Sequence, residues 1–210
     1  MRIDEILASA PVMPVVTIDD AAHAAPLARA LVAGGLRAIE VTLRTPAALE
    51  AVRIIACEVP GAMPGVGTVL RPGDFEAAAA AGARFAVSPG ATPTLLAAAR
   101  QASLPYLPAI ATASELMAAL EAGFSTCKFF PAAAAGGVAA LKSFAGPFPQ
   151  ARFNPTGGID LASAPTYLAL DNVLCVGGSW VAPPAAIAAG DYASIERLAR
   201  EAARLSRYRI

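Results

Sequence analysis

The chain has 210 residues, 56% of them hydrophobic and 15% charged, and its formal net charge is zero. That length suits one sizeable core, and the charge balance argues against both a nucleic-acid footprint and a polybasic membrane patch, so a small molecule is the expected partner. No apolar run is long enough to span a bilayer, and the start, Met1-Arg2-Ile3-Asp4-Glu5, lacks the basic-then-apolar layout of a secretion signal, which gives the expectation of a soluble, cytoplasmic protein. Cys57, Cys127 and Cys175 are far apart and form no C-x-x-C pair, so reduced, buried thiols are expected. His23 is the only histidine, which leaves almost nothing from which to build a histidine-clustered metal site or a Ser-His-Asp triad.

Residues 3–10 read as a short leading helix. Residues 12–18 are apolar and largely β-branched, and Asp19-Asp20 then offers N-caps to an alanine- and leucine-rich segment ending at Gly34-Gly35. The strand-then-helix unit recurs, with a strand at 36–43 and a helix to about 58, then a strand at 63–69 and a helix to about 82. Further units start at Arg84, Leu104, Ser125, Ala151 and Asn172, so the strand starts fall roughly 20 to 27 residues apart. Such alternation implies parallel strands with helical crossovers, and eight units predict an α/β fold of the (β/α)8 TIM-barrel type over residues 1–210, with no linker. A doubly wound open sheet is the alternative, although the G-x-G-x-x-G expected after its first strand is missing.

A barrel puts its chemistry at the carboxyl ends of the strands. In the second strand, Ile39, Val41 and Leu43 alternate with Glu40, Thr42 and Arg44, so one face packs on helices and the other turns a carboxylate, a hydroxyl and a guanidinium toward the mouth. The third strand ends Gly65-Val66-Gly67-Thr68 and the fourth Val87-Ser88-Pro89-Gly90, which allow close approach of a ligand to backbone. The sixth, Ser125-Thr126-Cys127-Lys128-Phe129-Phe130-Pro131, is apolar except for a lysine in its middle. An ammonium there loses hydration, which favours a free amine able to attack a carbonyl carbon. A lysine on a sheet edge, or one whose head reaches water along an apolar surface, would read the same way. If Lys128 points inward, Cys127 faces the helices as an inert thiol. The last two units turn at Thr156-Gly157-Gly158-Ile159 and Val176-Gly177-Gly178-Ser179, the two places where such barrels commonly hold phosphate on backbone N–H groups and hydroxyls.

Taken together, Ile39-Glu40-Val41-Thr42-Leu43-Arg44-Thr45, Gly65-Val66-Gly67-Thr68-Val69-Leu70, Ser88-Pro89-Gly90, Lys128-Phe129-Phe130-Pro131-Ala132, Pro155-Thr156-Gly157-Gly158-Ile159 and Gly177-Gly178-Ser179-Trp180 resemble the class I 2-keto-3-deoxy-6-phosphogluconate (KDPG) aldolases. The resemblance runs along nearly the whole chain. It implies reversible cleavage of that sugar acid to pyruvate and glyceraldehyde 3-phosphate, with 4-hydroxy-2-oxoglutarate as a further substrate, by a homotrimer that needs no metal or organic cofactor. It implies that Lys128 forms the Schiff base, that Glu40 moves protons through water, and that Arg44 and Thr68 hold the pyruvate carboxylate. Phe130 would pack beside the lysine, Pro89 would shape the pocket, and Thr156, Gly157, Gly158 and Ser179 would take the phosphate. Galactonate-type members tend to carry asparagine and serine near Arg44-Thr45, which disfavours the C4 epimer. Val66 and Ala135-Gly136-Gly137 depart from the usual Gly-Ala-Gly-Thr and Ala-Asn-Gly-Gly patterns, beside the expected site. A sugar-phosphate isomerase or epimerase, or a phosphate-binding barrel without catalysis, would share the phosphate turns but would not need an inward lysine.

Overall fold

The computed structural model describes residues 1–205. The chain runs α1 (Ile3–Leu7), β1 (Val12–Val16), α2 (Ala24–Ala33), β2 (Ala38–Thr42), α3 (Ala48–Glu58), β3 (Met63–Gly67), α4 (Gly73–Ala80), β4 (Ala86–Val87), α5 (Pro93–Gln101) and β5 (Tyr106–Leu107). It continues with β6 (Ala109–Ile110), α6 (Ala113–Glu121), β7 (Thr126–Phe129), α7 (Gly137–Ala145), β8 (Arg152–Pro155), α8 (Ala164–Leu168), β9 (Val176–Gly178), α9 (Pro184–Ala188) and α10 (Tyr192–Ala203). Every strand pairing is parallel, in the orders β5-β4-β3-β2-β1-β9 and β6-β7-β8. The first order is a six-stranded, curled parallel sheet covered by helices.

The expected elements and the observed ones differ at four places, each for a local reason. The leading helix ends at Leu7, because the chain tightens into a Ser9-to-Ile6 turn and Pro11 disfavours helical backbone at Ala10. Asp20 caps a 3-10 turn, Ala21–His23, that precedes α2. The fifth expected strand is divided into β5 and β6 at Pro108, which has no N–H to give to a ladder. The eighth begins regular pairing only at Val176, after one isolated bridge between Phe153 and Val173.

Period-two alternation sorts the side chains. Ile39 and Val41 of β2, with Cys127 and Phe129 of β7, join the outer core against the helices. Met13, Ala38, Phe85, Val87, Leu107 and Cys175 form a separate inner cluster, which Ile6 and Leu7 of α1 complete from the amino ends of the strands. Thr126 donates a hydrogen bond of 2.5 Å to Asp4 Oδ1, fastening α1 to the first residue of β7. Farther along the strands the inward positions become charged, as Ala38 gives way to Glu40 and Thr126 to Lys128. Cys127 is buried, and burial pushes its thiol up to about 12, as expected of an inert core cysteine. Cys57 differs from expectation. It lies on the exposed side of α3 and is not a buried thiol.

Candidate active site

Lys128 points inward. Its Nζ donates to Glu40 Oε1 at 2.9 Å and to Oε2 at 3.1 Å, across 88 residues of sequence, and the two residues are only 4% and 1% exposed. Desolvating two opposite charges costs on the order of several kcal/mol per ion, which their attraction repays only with close geometry, so such a pair is seldom kept for stability alone. The ring of Phe130 stands 5.5 Å from Nζ. A lysine and a carboxylate held this way can pass a proton between them. That leaves a neutral amine as nucleophile beside a group able to act as acid and base.

The surroundings fix the carboxylate. In register, Glu40 lies beside Gly65, and Gly67 follows on the same face of β3. A Cβ at Gly67 would stand 2.7 Å from Glu40 Cγ and closer still to Oε1. Glycine is therefore required at 67 to make room for the acid. Thr42, two residues beyond Glu40, is buried and shares a 2.8 Å hydrogen bond with Thr17, while its hydroxyl also reaches Val16 O at 3.2 Å. Thr42 thus joins β2 to β1 and offers no free group to the mouth. Thr45 binds Ile18 O at 2.5 Å and anchors the loop after β2 in the same direction.

Arg44 lies past the end of β2, exposed, with no ion pair among the described residues. Thr68 closes β3 with φ at 63°, a left-handed conformation that costs a β-branched residue ~1–2 kcal/mol and is retained most often at ligand sites. Pro89 follows Ser88, whose hydroxyl meets the Tyr106 hydroxyl at 2.5 Å; burial pushes Tyr106 up to about 12 and keeps that phenol neutral. Gly157, at φ 102°, rests against the Phe130 ring, where a Cβ would come within 3.3 Å. Gly157 lies next to the bridge between Thr156 and Gly177, and the N–H of Gly158 and the exposed Ser179 find no acceptor among the described residues. Thr156 differs from its neighbours. It is buried, its hydroxyl donates to Asn154 Oδ1 at 3.1 Å, and its N–H donates to Phe129 O at 2.9 Å, so both donors are engaged. Of the expected site residues, Glu40 and Phe130 meet the lysine, and the others lie just past the carboxyl ends of their strands.

Thr17, Tyr106 and Asn154 belong to the same surroundings and lie outside the quoted motifs, while Gly67 lies within one. Asn154 had a legible signal: it is the one amide in the strand-like run Arg152-Phe153-Asn154-Pro155, on the face opposite Phe153. Among the described residues no three His, Cys, Asp or Glu side chains gather, and His23 binds Tyr192 OH at 2.7 Å. A cleft of about 550 Å³ bordered by Met63, Arg84 and Pro105 opens at the amino ends of the strands, away from the Lys128–Glu40 pair, and holds no paired acid and base.

Similarity to known proteins agrees with this geometry. The KHG/KDPG aldolase of Escherichia coli (strain K12) is 54% identical over 199 residues, covering 95% of this chain and 93% of its own length. The 2-dehydro-3-deoxy-phosphogluconate aldolase of Zymomonas mobilis is 52% identical over 209 residues, covering 98% and 97%. Among solved structures, the KDPG aldolase of Legionella pneumophila, with pyruvate captured at low pH as a covalent carbinolamine intermediate, superposes with a TM-score of 0.95 at 46% identity, covering 97% of this chain and 98% of its own. The sequence pattern described as "Aldolase: KDPG and KHG aldolase" matches residues 3–198, and the chain belongs to that family.

Proposed function

We propose that the chain is a class I aldolase that reversibly cleaves 2-keto-3-deoxy-6-phosphogluconate to pyruvate and D-glyceraldehyde 3-phosphate through a Schiff base on Lys128. The observation that carries this reading is the buried contact of 2.9 Å between Lys128 Nζ and Glu40 Oε1, at the carboxyl ends of parallel strands. Glu40 takes a proton from the ammonium, and the free amine attacks the C2 carbonyl carbon to give a carbinolamine. Glu40 gives that proton to the carbinolamine hydroxyl, which leaves as water, so that an iminium and the carboxylate remain. Glu40, acting through water, then removes the proton of the C4 hydroxyl; the C3–C4 bond breaks, its electron pair flows into the iminium, and the aldehyde departs. Protonation of the resulting enamine at C3 and hydrolysis of the imine return pyruvate and the amine. The iminium serves as the electron sink that a metal ion supplies in metal-dependent aldolases.

Arg44 and Thr68 hold the substrate carboxylate in this reading, with Pro89 and Phe130 shaping the pyruvate pocket. The Gly157-Gly158 turn, together with Ser179, takes the phosphate, and Thr156 braces that turn from beneath. The same machinery would cleave 4-hydroxy-2-oxoglutarate to pyruvate and glyoxylate. The C4-epimeric substrate of galactonate-type enzymes is disfavoured, in keeping with the poorer match to a KDPGal structure, with a TM-score of 0.74 at 25% identity. An isomerase or a simple phosphate-binding protein would have no use for a lysine buried against a carboxylate.

The fold reading extends in the same way. β5 and β6 are separated by Pro108 alone, and bridges join β8 to β9, which supports a single closed (β/α)8 barrel formed by the whole chain. A cytoplasmic homotrimer completes the reading; no helix among the described residues is long and apolar enough to cross a membrane.

Borohydride reduction in the presence of pyruvate, followed by peptide mass analysis, tests the central claim. A stable pyruvyl adduct on the Lys128 peptide is the expected result, and its absence at saturating pyruvate refutes the Schiff base. For the phosphate turn, Ser179→Ala is expected to raise KM for the phosphorylated substrate about tenfold while barely altering that for an unphosphorylated analogue. Equal losses on the two substrates would show that Ser179 only supports the fold.

A further inference from the structure

Asn154 is fully buried beside the reactive lysine and has no part in the chemistry above, yet its amide is engaged at both ends. It is the register partner of Lys128 across the β7–β8 pair. Its Nδ2 donates to Cys175 O at 3.2 Å and approaches Cys175 Sγ at 3.1 Å, and its Oδ1 accepts from Thr156 Oγ1 at 3.1 Å. A buried amide in an otherwise apolar strand is retained when its bonds do something that apolar packing cannot.

The seam that it spans is irregular. Between the bridges Phe153–Val173 and Thr156–Gly177, the β8 side advances three residues and the β9 side four, so one strand carries an extra residue, as in a β-bulge. Phe153 N–H still donates across the seam to Asn172 O at 2.8 Å, but Pro155 has no N–H to continue the pattern. The Asn154 side chain supplies the next donor in its place. One step farther on, Thr156 packs so closely on the other strand that a Cβ at Gly177 would lie 2.9 Å from its Cγ2 and nearer still to Oγ1. Immediately beyond this point the two strands open into the turns at Gly157-Gly158 and Gly178-Ser179.

We infer that Asn154 is a positioning residue that sets the gap between the two glycine turns, and that it thereby governs discrimination between phosphorylated and unphosphorylated substrates. This rests on the aldolase reading. Asn154 acts through Thr156 and Cys175 and touches no reacting atom. Its removal therefore slackens the phosphate cradle while leaving the lysine able to capture pyruvate.

The test uses Asn154→Leu, which keeps the branched heavy-atom skeleton and removes both ends of the amide. The ratio of kcat/KM for the phosphorylated sugar acid to that for its unphosphorylated analogue is expected to fall about tenfold, through KM. Borohydride trapping of pyruvate on Lys128 is expected to stay at the level of the unmodified chain. In the Asn154→Leu background Ser179→Ala should cost less than it does alone, since residues serving one cradle are not additive. If the leucine variant does not fold, Asn154→Ser, too short to reach Cys175 O, is read in the same way. An unchanged ratio with normal trapping, or an equal fall in kcat on both substrates, overturns the role of Asn154 alone. Failure of trapping in the unmodified chain overturns the Schiff-base reading and this inference with it.

Discussion

Lys128→Met is expected to abolish aldol cleavage, lowering kcat/KM by at least ~10⁴-fold, and to remove the pyruvyl adduct that borohydride fixes in the unmodified chain. Methionine nearly matches the length of lysine and suits a strand whose outward neighbours, Cys127 and Phe129, are fully buried, so the fold should survive. What disappears is the nitrogen. Without it no iminium forms, and the electron pair of the C3–C4 bond loses the acceptor that the proposed mechanism requires. Glu40 loses its partner as well, but it can take up a proton and avoid standing as a buried, unpaired charge. Pyruvate release in a coupled assay, with mass analysis of the reduced protein, checks both halves. Residual turnover within a hundredfold of the starting rate would locate the nucleophile elsewhere.

Glu40→Gln separates covalent capture from proton transfer. The amide fits the space left by Gly67 and can still meet the lysine, so folding and slow adduct formation are expected to persist. Turnover should fall by ~10²–10⁴-fold, the usual contribution of a positioned acid and base. The fall should appear in kcat, since in the proposed mechanism the group moves protons and does not bind the carboxylate or the phosphate. Stopped assays of cleavage, run beside borohydride trapping, distinguish the cases. Trapping without turnover is the expected pair of results, whereas near-normal turnover would assign proton transfer to another residue or to water alone.

Much of this site was legible in the sequence because it obeys local rules. Alternation in residues 38–44 put Glu40 on the inward face, and the same rule applied to Thr126-Cys127-Lys128-Phe129 separated the lysine from an inert cysteine. The two Gly-Gly turns announced themselves by composition. What escaped notice depends on contacts between distant segments. Thr42 looks like a mouth residue until Thr17, 25 residues earlier, is seen to hold it. Nothing in the sequence shows that the Thr156 hydroxyl donates a hydrogen bond to Asn154. The exposed Cys57 broke a compositional expectation because a cysteine on the outer side of an amphipathic helix has no sequence mark of its own. The fifth strand was placed correctly but not its interruption, since Pro108 can either end a strand or merely break its ladder.

The space over Gly67, which the Glu40 side chain fills, has a bearing on how this protein can change. Glu40 has its reach only because position 67 contributes no side chain, so the length of the acid and the size of residue 67 behave as one variable shared between two strands. A substitution at 67 alone forces the carboxylate off the lysine; a shorter acid at 40 alone leaves a void. Changes in the length of the side chain at 40 and in the size of residue 67 are therefore coupled, which makes this pair a natural starting point for redesigning the proposed proton-transfer group.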